Sequence, residues 1–428
     1  MKLLIISHNP ITTYHNMGKT MLSLFESFKK EELCQLYIYP NYPDIDFCKS
    51  YYRITDKDIA KSFFTFKNHG RKVEKVKIKK QCGMFEKASD ESFYKNPKNK
   101  KPVRRLLRDL MWKCSKWFTK SLEQWLQKES PDCIFVAPGD AMFIYDIAFK
   151  ISSKLNIPLI SYVCDDYYFA EYGKGFIEQL RVKLLKRKIA AAMKKTKMLI
   201  AISEEIKNFY EERFGVSSLL VMTGADEFTN ERKTTDNPLV LSYFGNLRCN
   251  RYVSLSHIGQ AIDKLNETDG KKRVLKIYSA EKDKDIIKTL SEIKSVELCG
   301  FVTGENFRKA IGEADVLLHT EAFDKENRSL VKHSVSTKIA DSLKSGIPLL
   351  AYGPAEISSM KHLIKNNCAA VATEKEQLQR VIRKALEDES FRKSCVKKAL
   401  ETAEKYHNKK KNSRMIYKTV ENVILGKE

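Results

Sequence analysis

Short apolar runs, rich in β-branched and aromatic side chains, alternate with longer amphipathic segments through almost the whole of this chain. A run such as Cys133-Ile134-Phe135-Val136-Ala137 has no polar alternation, so a strand built from it must be buried on both faces. Strands of that kind separated by helical patterns require parallel sheets covered by helices on each side. Strand candidates fall at 2–7, 33–39, 132–137, 158–164, 198–202 and 219–222, then at 239–244, 274–279, 296–299, 315–319, 348–352 and 369–372. Helical patterns between them include 17–28, 176–192, 254–265 and 338–343.

The design restarts near residue 239. The polar, pattern-free stretch FTNERKTTDNP (228–238) precedes LVLSYFGNL, which repeats the opening order of strand and small-residue loop. The fold class is therefore α/β, with two Rossmann-like, doubly wound parallel-sheet domains facing each other across a cleft. The first spans 1–230, the second 238–400, and a basic helical segment closes the chain at 401–428.

One region breaks the alternation. Residues 90–101 are polar and read as a loop, and they lead into a basic, aromatic helical segment at 102–127. There Leu107, Met111, Cys114, Phe118, Leu122 and Trp125 fall on one stripe at helical spacing. Arg104, Arg105, Arg108, Lys113, Lys116 and Lys120 flank it, with Trp112 and Trp117 near its edges. The pattern fits a core-facing helix with a solvated basic rim. It also fits a helix at an anionic membrane surface, and both hold if only the rim meets lipid.

The charge balance narrows the partners. Lys and Arg number 77 against 54 Asp and Glu, a net +23, which favours nucleic acid, acidic lipid or a phosphorylated ligand. No helix-turn-helix, RNP-like or zinc signature is present and the aromatics form no stacking strip, so nucleic acid is set aside. The ten cysteines include no C-x-x-C pair and several sit inside apolar runs, as buried thiols in a reducing compartment do. The N-terminal apolar run is too short for a signal peptide, and no segment reaches the ~18 apolar residues of a membrane span. From these features a cytoplasmic protein is expected, with the inner face of the plasma membrane as a candidate attachment site.

LLIISHNPITTYHNMGKTMLSLF (3–25) resembles a strand, phosphate loop and helix, but a Walker loop needs a glycine where Thr13 stands, followed by small residues. Gly18 is then either a turn glycine or a close neighbour of a bound phosphate or sugar. HSVSTKIADSLKSGIPLLAYGP (333–354) is richer. Ser336 can cap a helix carrying Thr337 and Lys338 in its first turn, which places hydroxyls, N–H groups and a cation where a diphosphate fits. Asp341, one turn on, can accept from ribose hydroxyls. A capped helix with an i,i+3 ion pair would look the same.

The pattern S-x-K-I-x-[DE]-x-L-x-x-G-x-P-h-h-h-x-G-P in that stretch resembles the donor motif of the retaining, family 4-like glycosyltransferases of bacterial surface-polysaccharide synthesis, which have the GT-B fold. YFGNLRCNRYVSLSHIGQAI (243–262) is similar to the first strand, loop and helix of their donor domain. The resemblance covers most of the chain and implies diphosphate contacts from Gly18, Arg248, Arg251, Ser336, Thr337 and Lys338, and ribose contact from Asp341. It implies a nucleobase seat at Gly300, Phe301 and Val302. The sequence departs from the family's E-x7-E pair, placing His333 and Asp341 there, with Glu321 a possible replacement for the first glutamate.

Asp140, and Asp165 with Asp166 after the 158–164 strand, read as an acceptor side or as caps. Paired aspartates can hold Mg²⁺, but the resemblance implies a reaction without bound metal or other cofactor. It implies transfer of a hexosyl or N-acetylhexosaminyl group from a nucleotide sugar, UDP-sugar first, to a lipid-linked or growing glycan, with retention. Catalytic candidates are Asp140, Asp165 and Glu321, with no base assigned. Rival readings are a sugar-nucleotide epimerase or phosphorylase and a non-catalytic partner in glycan assembly.

Overall fold

The computed structural model describes residues 1–13, 16–65, 69–74, 101–169, 175–226 and 238–427. The loop expected at 90–101 and the linker expected at 228–238 lie, except for Lys101 and Pro238, outside the described residues. The chain divides into two compact units, Met1–Val221 with Lys409–Glu428, and Met222–Asn408, so the second unit begins ahead of the boundary expected at 230–238 and runs past the expected end at 400.

The first unit holds an eight-stranded sheet in the order β4-β3-β2-β1-β5-β6-β7-β8. Its strands are β1 (Leu3–Ser7), β2 (Leu33–Tyr37), β3 (Ser50–Arg53), β4 (Arg71–Lys72), β5 (Cys133–Ala137), β6 (Leu159–Val163), β7 (Thr196–Ala201) and β8 (Ser218–Leu220). All pairings are parallel except β3 with β4. The second unit holds a six-stranded, fully parallel sheet in the order β11-β10-β9-β12-β13-β14. These strands are β9 (Leu239–Phe244), β10 (Arg273–Tyr278), β11 (Val296–Leu298), β12 (Val316–Thr320), β13 (Leu349–Tyr352) and β14 (Ala370–Ala372). The twelve expected strands are all present. The two missed, β3 and β4, form the sheet edge, where SYYR and RK carry no continuous apolar run.

Alternate residues of β1 enter separate cores. Leu3 and Ile5 pack with Phe25 of the α1 (Asn16–Leu24) side, while Leu4 and Ile6 pack with Ile144 and Ile147 of α5 (Met142–Leu155). The closing helix α16 (Lys409–Leu425) belongs to the first unit. Its Ile416 and Val420 lie in the α1-side core, the Phe28 and Tyr417 rings sit 4.9 Å apart, and the Ser27 N–H donates to Ser413 Oγ at 2.7 Å. The expected terminal segment is thus split, because the preceding helix α15 (Glu389–Tyr406) stops at His407 within the second unit.

The basic, aromatic segment differs most from expectation. It forms two helices, α3 (Pro102–Cys114) and α4 (Lys120–Glu129), with Thr119 capping the second. Leu122 and Trp125 are buried as the stripe requires, but Leu107 is 57% exposed and Cys114 is exposed too. Trp112 and Trp117, expected at the edges, are in the core. The reason is a polar layer under α3. Trp112 Nε1 donates to Asp56 Oδ1 at 2.7 Å, Arg108 Nε to the same oxygen at 2.9 Å, and Asp109 accepts from the Met142 N–H at 3.1 Å. Arg105 pairs with Asp140 and, at 3.7 Å, with Glu178. Arg105 and Arg108 are therefore committed to carboxylates beneath the helix and only partly exposed, unlike the solvated rim expected of them. Replacing Trp112 by Ala should cost about 3–5 kcal/mol in urea unfolding, whereas Leu107→Ser should change stability by less than about 0.5 kcal/mol. A core-facing stripe would reverse that order.

At the root of the second unit two imidazoles share a buried hydrogen bond. His407 Nδ1 donates to the Thr223 carbonyl at 2.8 Å, so its Nε2 accepts from His362 Nε2 at 3.1 Å. Burial, then the neighbouring His407 and Lys365, drops His362 to about 3. Burial and Lys344 drop His407 to about 4 against the Thr223 bond. Both rings are neutral when folded and take up protons on unfolding near the ordinary value of 6.5. Stability from this pair is full above pH 6.5 and is lost as pH falls toward 4. Denaturant unfolding across that range should show the slope, and His362→Gln should flatten it.

Candidate functional site

In open α/β sheets ligands lie beyond the carboxyl ends of strands where the strand order reverses. In the second unit the reversal falls between β9 and β12. β9 ends at Phe244, and Gly245 follows where a Cβ would stand 2.6 Å from the Tyr243 hydroxyl. Cys249 and Asn250 then take left-handed φ of 55° and 54°, and the Asn250 amide donates to Asp324 at 3.0 Å. This turns the chain directly into the helix α8 (Arg251–Asp269), with Arg251 as its first residue.

Arg251 meets the residue after β12. Its Nε and Nη2 donate to Glu321 Oε2 at 3.2 and 2.8 Å, and its Nη1 donates to Asn246 Oδ1 at 3.3 Å. His319 Nε2 lies 3.4 Å from the other Glu321 oxygen, and Ser254 Oγ donates to the Glu321 carbonyl at 2.7 Å. Glu321 is only 2% exposed. Burial pushes its carboxyl up, but His319 and Arg251 together outweigh burial and hold it below the usual range. Burial likewise works against the Arg251 cation, and Glu321 with Tyr243 and Cys249 reverses this, so its pKa stands above the ordinary value. An ionised carboxylate thus fixes a cation at the helix start, at the strand reversal. Glu321 was singled out in sequence as a substitute for a missing glutamate and as a catalytic candidate; that it holds Arg251 is not visible in spacing. Asn246 and His319 went unnoticed, and their only signal is that each lies at or just past a strand end.

The other expected donor residues lie around this centre without all touching it. Arg248 is exposed, and its carbonyl accepts the Arg251 N–H at 3.4 Å. Gly300, at φ 72°, follows β11, two strands from β9, and Phe301 beside it is 68% exposed with Val302 half-buried. The helix α12 (Lys338–Lys344) begins after Thr337, with no side-chain cap. The Ser336 hydroxyl does not cap it as expected; the Ser336 N–H donates to Ser359 Oγ at 3.1 Å instead. Thr337, Lys338 and Asp341 are half-buried, and His333 is buried.

In the first unit the reversal falls between β1 and β5. Gly18 sits in α1, where a Cβ would come within 2.2 Å of the Thr12 carbonyl, so the loop after β1 folds directly onto this glycine. His8, just past β1, receives Arg108 Nη2 at 2.9 Å on Nε2; burial and then Arg108 lower it to about 4. The Asp140 carboxylate is held by Arg105 and by Arg181 at 3.1 Å. Asp166 accepts the Tyr168 and Phe169 N–H groups at 2.9 Å each, which makes it a turn cap. Asp165 is exposed beside it.

Two doubly wound parallel units of these sizes match solved structures along nearly their whole length. HepE of Anabaena, solved with UDP and glucose, superposes with a TM-score of 0.63 over 98% of this chain and 99% of its own at 13% identity. Sucrose-phosphate synthase of Thermosynechococcus elongatus gives 0.63 over the full length of both chains at 10% identity. The UDP-forming trehalose-phosphate synthase of Burkholderia vietnamiensis gives 0.60 over 99% and 100% at 8% identity. This chain has the GT-B fold. No family model matches the sequence, and no curated protein does. Within this GT-B chain, the Arg251–Glu321 pair occupies the strand reversal of the C-terminal Rossmann-like unit. Removing one partner leaves the other charge buried and unpaired. Arg251→Ala and Glu321→Ala should each cost about 3–5 kcal/mol, and a double-mutant cycle read by denaturant unfolding should show strong coupling between them.

Proposed function

We propose that this chain transfers a glycosyl group from a nucleoside diphosphate sugar, a UDP-sugar foremost, to an acceptor hydroxyl. The observation that carries this reading is the Arg251 cation, fixed by ionised Glu321 at the start of a long helix. The leaving group is a diphosphate, so the main demand on the site is to stabilise charge growing on its oxygens. Arg251, supported by the helix N-terminus, meets that demand without reorganising, and Arg248, Ser336, Thr337 and Lys338 supply the remaining donors. Asp341 takes the ribose, and the exposed ring of Phe301, with Gly300 and Val302, offers a face for the base. Gly18 admits the diphosphate or the transferred hexosyl or N-acetylhexosaminyl group near the first helix. The solved UDP and UDP-glucose complexes of HepE support the choice of nucleotide.

Glu321 acts here through Arg251, as a positioning residue. Its carboxylate is already committed to the guanidinium, and Asp140 is equally committed to Arg105 and Arg181, so neither serves as a base. The departing diphosphate itself accepts the acceptor's proton, the anomeric configuration is retained and no bound metal takes part. The acceptor is a lipid-linked or growing surface glycan at the inner face of the membrane. The strongly basic chain supports this, because such acceptors are anionic.

A thermal-shift panel of UDP, GDP, ADP, CDP and TDP tests the reading. UDP should raise the melting temperature of the wild type most, and Arg251→Ala and Lys338→Ala should each weaken the apparent affinity about tenfold or more. Chelator should leave transfer unchanged. If no diphosphate shifts the wild type, the non-catalytic reading replaces this one.

A further inference from the structure

Helix α3 is turned inside out. Val103, Leu107, Leu110 and Cys114 recur at i, i+4, i+7 and i+11, so they lie on one face. All four are exposed, Leu110 by 53%. The opposite face carries Arg105, Arg108, Asp109 and Trp112 into the protein. Leu106, Met111 and Trp112 cover the core, which leaves the stripe of Val103, Leu107, Leu110 and Cys114 as an apolar face without a core to cover.

The neighbouring helix α6 (Phe176–Met193) continues the same surface. Arg105 of α3 pairs with Glu178 of α6, and Asp109 with Arg181 at 3.6 Å, so the first turns of the two helices lie level, side by side. The outer residues of that turn on α6 are Phe176, exposed by 80%, with Ile177 and Leu180. Beyond them the helix becomes basic: residues 176–197 hold eight Lys or Arg against Glu178 alone. Lys183, Lys186 and Arg187 line, with Tyr168, Val182 and Ala190, a groove of about 380 Å³. None of these three cations forms an ion pair among the described residues. On α3, Arg104 and Lys113 border the apolar stripe.

A soluble surface rarely exposes so many clustered large apolar side chains, and one that also borders the cations Lys183, Lys186 and Arg187 matches the chemistry of a lipid interface. We propose that the α3–α6 surface docks on a bilayer containing anionic phospholipid. Val103, Leu107, Leu110, Phe176, Ile177 and Leu180 enter the boundary between headgroups and acyl chains. Lys183, Lys186 and Arg187 bind lipid phosphate in the groove, and Arg104 and Lys113 contact it at the rim. No helix among the described residues is long and apolar enough to cross a membrane, so the contact is peripheral. Arg105 and Arg108 take no part, because they are consumed beneath the helix. The proposal supplies the surface that the lipid-linked acceptor reading needs, but its test uses neither donor nor acceptor, so the two can fail separately.

Co-sedimentation of the full chain should be compared on vesicles of phosphatidylcholine alone and of phosphatidylcholine mixed with phosphatidylglycerol. Wild type should pellet with the mixed vesicles, and less so as salt is raised. Lys183→Glu, Lys186→Glu and Arg187→Glu together should weaken partitioning by about a hundredfold. Leu107→Ser, Leu110→Ser and Phe176→Ser together, which leave the charge unchanged, should also release the protein, with unfolding curves like the wild type's. Wild type remaining in the supernatant with mixed vesicles, or either triple variant pelleting as wild type does, overturns the proposal. So does a wild-type dimer in light scattering that the serine variant converts to monomer, since the face would then be a contact between copies of this chain.

Discussion

Parallel sheets covered on both faces leave no room for polar chemistry along their strands. In this protein β1, β5 and β6 are buried at every residue, and alternate side chains enter cores on opposite sides. Functional groups are therefore driven to the strand ends, and among these the ends at an order reversal are the ones a helix does not cover. Both reversals carry a polar residue at the strand end that meets an arginine: ionised Glu321 after β12 with Arg251 facing it, and neutral His8 after β1 accepting from Arg108, with Asp56 nearby.

The Arg251–Glu321 pair shows how a buried charge becomes useful. Each ion alone would be costly to bury, and together, with Asn246 and His319, each is satisfied. The carboxylate locks a flexible side chain into one direction, and the left-handed turn at Cys249 and Asn250 sets the helix start under it. A cation held this way loses little freedom when an anion arrives, which is where preorganised electrostatics gains its advantage over solvent.

The first unit uses the same physics to a different end. Asp56 and Asp140 lie beneath α3 and draw in Arg108 and Arg105 along with the indole N–H of Trp112, while Asp109 of α3 itself pairs with Arg181 of α6. With these groups held on one side of the helix, Leu107 and Leu110 on the opposite side are left outward, while Leu106 still packs against the core. The exposed stripe on α3 is thus a consequence of the polar layer below it, and the basic face of α6 alongside completes a surface with apolar and cationic parts in register.

How much of this the sequence carried depends on the range of the interaction. Two-sided burial marks most of the strands, so twelve strands and the α/β class could be read directly, as could Arg251 and Glu321 as residues worth singling out, whereas the start of the second unit at Met222 could not. The short strands β3 and β4 carry no such mark: β4 is exposed, and β3 is buried but built from SYYR rather than an apolar run. The sequence alone therefore determined the layered architecture and the residue types at the strand ends. Tertiary structure alone decided that Glu321 holds Arg251 across about 70 residues of chain, that α16 returns to the first unit, and that α3 faces outward. Periodicity shows that a helix has two faces, but which one turns inward depends on partners elsewhere in the chain, here the carboxylates of Asp56 and Asp140.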